Sequence, residues 1–130
     1  MVRKTSYLTV ALSVMLLASA SFAQGGKAEP KRIDFVRGAS SATVRGTLSN
    51  AQEMDFIFRA RAGQTVTVKN ANPRLFDIRV FNDIFEFETE FDSSAKIVFE
   101  VPETGDYYMF VRRKVGRPAS ARFSVTVSIK

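Results

Sequence analysis

Glu86, Glu88 and Glu90 stand at alternate positions in the stretch "DIFEFETEFD". On a strand such residues share one face at intervals of about 6.8 Å. That spacing suits two carboxyls flanking a glycosidic bond, and carboxylate oxygens are also what hard cations take as ligands. A single straight row does not converge on an ion, so no metal or other cofactor is expected. The same pattern equally describes a solvated acidic face backed by Phe85, Phe87 and Phe91. Other catalytic chemistry has little to work with. The chain has no histidine and no cysteine, which removes the commonest general base, the usual zinc ligands and the usual covalent thiol. Ser40 and Ser41 have no histidine to activate them, and no Gly-x-Ser-x-Gly elbow occurs.

A second cluster follows the stretch "VPETGDYYMFV": Arg112, Arg113, Lys114, Arg117 and Arg122 crowd together with no acidic residue among them. Such a run is ordinarily a solvated loop. Arginine also binds carboxylates through a planar fork and is enriched at interface hot spots, so a protruding edge that engages an acidic partner is the competing reading.

The elements that must hold these groups are strands. From Lys31 onward the apolar pattern has period two, the mark of half-buried strands. Met54, Phe56, Phe58 and Ala60 share one face, as do Phe123, Val125, Val127 and Ile129. Turn signals separate the runs: "LSNAQ", "RAGQ", "NANPR", "FND", "FDSS" and "PETGD". The spacing predicts an all-β fold, a compact antiparallel β-sandwich of about eight short strands over residues 31–130. Within it, Ile97, Phe99 and Val101 end one strand, "PETG" turns, and Tyr107, Met109 and Val111 begin the inner face of the next. Gly105 is expected to supply the turn's unusual backbone angle, and Tyr107 to brace it with a buried ring and a hydroxyl near a backbone partner.

Arg3 and Lys4 precede an apolar run and then "ASASFAQ", the layout of a cleaved secretory signal over residues 1–23. The run is too short to span a membrane, which takes about 20 apolar residues, so no stable membrane insertion is expected. Residues 24–30, "QGGKAEP", read as a flexible lead-in. Removing the signal takes two of the 19 basic residues, leaving 17 against 13 acidic ones, a net charge of +4. That is modestly basic, and with an exported address and aromatics at strand spacing it argues against nucleic acid. About 107 residues remain, one domain, enough to bury a core without disulfides. Oligomeric state is not legible.

Four segments, "RIDFVRGASSATVRGTL", "FRARAGQTVTVK", "FEVPETGDYYMFV" and "FSVTVSIK", together resemble the bacterial periplasmic inhibitors of goose-type (g-type) lysozyme. "AGQTVTV" and "PETGDY" are also similar to secreted β-sandwich modules at the C-termini of bacterial proteases. The first resemblance implies a non-enzymatic periplasmic protein whose partner is g-type lysozyme. In the lysozyme-inhibitor families a Ser-Gly-x-(x)-Tyr turn is associated with insertion into the lysozyme cleft. Thr104, Gly105 and Tyr107 match it here, with threonine in place of serine. A basic loop after that turn would be Arg112, Arg113, Lys114 and Arg117. The alternative is a generic sandwich module that binds cell-wall glycan or another periplasmic protein, for which exposed rings such as Phe81 or Tyr108 would be the sign.

Overall fold

The computed structural model describes residues 29–130; the expected signal and most of the expected lead-in, residues 24–28, lie outside the described residues. Nine strands run in chain order: β1 (Lys31–Arg32), β2 (Ser41–Ser49), β3 (Glu53–Ala60), β4 (Thr65–Asn70), β5 (Phe76–Asn82), β6 (Phe87–Glu88), β7 (Lys96–Glu100), β8 (Gly105–Arg113) and β9 (Ser120–Ile129). They form two sheets, β1-β3-β8-β5-β6 and β2-β9-β4-β7. The all-β sandwich expected from the period-two pattern is what the chain adopts. Pairing is antiparallel throughout except for β1, which lies parallel to β3.

Alternation along each strand builds the core. Phe56, Phe58 and Ala60 of β3, Tyr107, Met109 and Val111 of β8, and Phe123, Val125 and Val127 of β9 are all buried. Rings lock the two sheets together, Phe123 of the second meeting Phe56 and Phe76 of the first edge-on at 6.1 and 5.7 Å. Edge-to-face packing suits the ring quadrupole. Gly46 makes room for this: a Cβ there would lie 2.7 Å from the Phe123 ring.

The turn before β8 is not a hairpin. β7 pairs with β4 in the second sheet, while β8 lies between β3 and β5 in the first. Residues 101–104 therefore carry the chain from one sheet to the other. Period two reports which face a side chain takes, not which strand its own strand pairs with, so it gives the faces of these two strands and is silent on their pairing.

Candidate functional site

The crossover turn is braced from two sides. Tyr107 is fully buried, and its hydroxyl donates to the Glu103 carbonyl at 2.6 Å. Phe58 stacks on its ring at 5.8 Å, and Phe85 and Phe87 meet it edge-on at 5.6 and 5.5 Å. Burial pushes the phenol above its ordinary pKa. The brace expected of Tyr107 is present.

Thr104 is exposed at the tip, and its Oγ1 accepts the Ala62 N–H at 3.0 Å. That bond ties the crossover to the neighbouring β3–β4 turn, which also donates Gly63 N–H to Val101 at 2.9 Å and receives Val101 N–H at Gln64 at 2.7 Å. Gly63, at φ +86°, takes the left-handed angle that lets this turn close. Gly105 does not: its φ lies outside that region, and its service is space, since a Cβ there would come within 3.3 Å of Phe85. Phe85 sits in the β5–β6 turn, whose start is capped by Asn82 Oδ1 accepting the N–H groups of Ile84 at 2.7 Å and Phe85 at 3.2 Å. Three turns thus share one end of the sandwich. Ile84, 85% exposed, projects from it; sequence reading missed this residue, although a large apolar side chain inside the turn signal "FNDIF" was visible.

The basic loop is elsewhere. Gly105 pairs with Ala60 at one end of β8 and Arg113 with Phe76 at the other, so the steps from residue 105 to residue 113, at about 3.4 Å each, put roughly 27 Å between the two. Thr104, Gly105 and Tyr107 lie together, and Arg112, Arg113, Lys114 and Arg117 lie at the opposite end. The single binding edge expected from their closeness in sequence does not form.

Nor is that loop a free spray of charge. Arg113 has no exposure at all; its guanidinium donates to the Lys114 and Pro118 carbonyls, lies 6.0 Å from the Phe76 ring centroid, and leaves Nε without a partner. It cannot touch a partner from there. Arg112 forks onto the buried carboxylate of Asp77 at 3.0 and 2.7 Å, with its guanidinium 3.7 Å above the Phe91 ring. The Asp77 hydrogen bond raises its pKa further, so it stays charged and occupied. Lys114 Nζ donates to Ser93 at 3.0 Å. Backbone bonds from Lys114 to Leu75 and from Asn50 to Ala119, and the Gly116 N–H to Asn50 Oδ1, pin the loop to its neighbours. Arg117 alone of the four is exposed.

The acidic row also dissolves. Only Phe87 and Glu88 form a strand, and Glu86 sits in the turn at φ 54°. Glu88 pairs with Arg79. Phe85 and Phe87 pack on Tyr107, but Phe91 lies on the outer face under Arg112, not with them. Among the described residues no group of three or more acidic side chains is placed to hold a metal ion. The aromatics named as a sign of glycan binding are turned on one another: Phe81 stacks on Tyr108 at 5.2 Å, meets Phe110 at 4.9 Å, and carries Arg79 at 4.8 Å from its centroid. The faces that Phe81 and Tyr108 turn on each other are withdrawn from a sugar.

Two sheets closed over one core, with crossover turns gathered at the ends, define a β-sandwich. No family model matches the chain, and no curated protein does. Solved structures give the particular likeness. PliG from Aeromonas hydrophila, a periplasmic inhibitor of g-type lysozyme, is 24% identical with a TM-score of 0.64 over 78% of this chain and 96% of its own. The Salmonella Typhimurium PliG is 22% identical, TM-score 0.63, over 80% and 100%. The pre-peptidase C-terminal domain of a Bacillus anthracis collagenase is 15% identical, TM-score 0.52, over 82% and 100%. The fold implied by the sequence resemblance is the fold of this chain.

Proposed function

We propose that the protein is a periplasmic, non-enzymatic inhibitor of g-type lysozyme that blocks the active-site cleft with the Thr104 end of its sandwich. The doubly braced crossover turn carries the reading. Because Thr104 Oγ1 already accepts the Ala62 N–H, the hydroxyl proton is left to donate outward. A donor held in place by the turn is suited to a carboxylate of the kind lysozymes use. Little conformational freedom is lost when such a turn docks, which favours affinity. Ile84, exposed at the same end, supplies the apolar anchor that an interface core needs.

On this reading Tyr107 and Gly105 act from beneath, as brace and spacer, and Thr104 makes the contact. Arg112 and Arg113 belong to the scaffold. Lys114 and Arg117, at the far end, do not enter the same cleft. The absence of histidine and cysteine and the dispersal of Glu86, Glu88 and Glu90 support inhibition over catalysis, and the similarity to PliG structures supports the choice of lysozyme class. The test is a titration of g-type lysozyme's lytic rate, with chicken-type lysozyme in parallel. Selective slowing of g-type lysis is expected. Undiminished g-type lysis at a large molar excess of folded protein refutes the proposal, and a pulldown on peptidoglycan without lysozyme then tests the generic wall-binding alternative.

A further inference from the structure

Charge is distributed unequally over the two outer faces. All three ion pairs among the described residues, Arg32–Asp106, Arg79–Glu88 and Arg112–Asp77, lie on the first sheet, where opposite charges neutralise one another. Among the described residues, the second sheet's outer face carries Arg45, Lys69, Lys96, Arg122 and Lys130, none of them in an ion pair, against the single carboxylate of Glu100.

Lys69 and Lys96 are directly opposed in the β4–β7 register. Like charges so placed are destabilising. A lysine on an edge strand deters pairing with other chains, which accounts for Lys96 on β7; it does not account for Lys69, because β4 is flanked on both sides. Glu100 does not offset the pair, standing four residues along β7, about 13 Å away.

Between these cations run hydroxyls. Ser41, Ser128 and Thr67 form one cross-strand row, and Thr43 bonds Thr126 at 2.8 Å in the next. A depression of about 270 Å³ opens among them, lined by Thr65, Thr67, Lys69, Lys96, Ser128 and Lys130.

We propose that this face binds a linear glycan bearing carboxylate, sulfate or phosphate groups, with one such group seated between Lys69, Lys96 and Thr67. Unpaired ammonium groups offer charge-assisted bonds to the anion. The flanking hydroxyls, each both donor and acceptor, complement those of a sugar chain. An anionic lipid surface is disfavoured because, among the described residues, Val98 is the only exposed large apolar side chain on the face, leaving little to enter an acyl layer.

The test measures binding of a fluorescent heparin-derived hexasaccharide at physiological ionic strength, with a neutral hexasaccharide and anionic phospholipid vesicles alongside. Lys69→Gln with Lys96→Gln is expected to raise Kd about tenfold or more. Arg37→Gln with Arg59→Gln removes the same charge from other surfaces, where both residues are exposed, and is expected to change it by no more than about twofold. The lysine variant should melt at or above the parent, because it removes opposed like charges, and should still slow g-type lysozyme, since Lys69 and Lys96 pair at the end of β4 and β7 away from the Thr104 turn. Equal losses from the two pairs would reduce the effect to net charge and overturn the site. No binding of the hexasaccharide, or vesicle binding that depends on Lys69 and Lys96 in its place, would overturn it too.

Discussion

Replacing Arg113 by methionine separates scaffold from surface. The stem's volume is largely kept, but the two charge-assisted bonds to the Lys114 and Pro118 carbonyls are lost. At about 1.5–3 kcal/mol each, the gross loss is about 3–6 kcal/mol. Against this stands the relief of Nε, buried without a partner, for which about 1–3 kcal/mol is recovered. The two ranges leave a net destabilisation centred on about 2–3 kcal/mol within about 0–5 kcal/mol, the centre being roughly 10–20 °C in Tm for a domain of this size. Thermal melting followed by circular dichroism reads it, with Arg117→Met as the control that should leave Tm in place because Arg117 is exposed. Equal shifts in the two variants, or none in either, would refute the assignment of Arg113 to the scaffold. The folded fraction of the Arg113 variant should inhibit lysozyme as well as the parent.

Three further outcomes are expected. Gly46→Ala drives a Cβ to 2.7 Å from a ring hemmed in by Phe56 and Phe76; overpacking of this kind costs about 1–3 kcal/mol, readable as a lower urea midpoint with unchanged slope. The Tyr107 phenol, raised by burial, favours the folded state fully below the unfolded pKa of about 10. Stability should fall as pH rises from there through the folded pKa, and Tyr107→Phe should flatten that alkaline limb in pH-dependent melts. Glu86→Gly relieves a left-handed backbone at φ 54° and should stabilise the fold by up to about 1 kcal/mol, read as an increase in urea midpoint.

Period two carried most of what was legible. It set the inner faces of β3, β8 and β9, and it contained a warning that went unused: Arg113 shares parity with Tyr107, Met109 and Val111, so a strand continued by two residues had to turn it inward, and Arg112 outward toward Asp77. Composition drew the eye to a run of charge where periodicity already divided it. Pairing was out of reach, because nothing local distinguishes a hairpin after Val101 from a crossover between sheets. The row of glutamates failed for a related reason: alternation implies a shared face only while the backbone stays extended, and Glu86 leaves it. Contacts made at long range, such as Thr104 Oγ1 with Ala62 or Lys69 opposite Lys96, become visible only once the sheets exist.

Inhibition as proposed requires the Thr104 end, and not the basic loop, to enter the lysozyme cleft. Its most direct test is the inhibition constant against g-type lysozyme for Thr104→Val, Thr104→Ser and Arg117→Gln beside the parent. Loss of a charge-assisted hydrogen bond of about 1.5–3 kcal/mol predicts roughly 10- to 150-fold weaker inhibition for the valine variant, with serine close to the parent and Arg117→Gln unchanged. Weakening by Arg117→Gln while Thr104→Val inhibits like the parent would contradict the account.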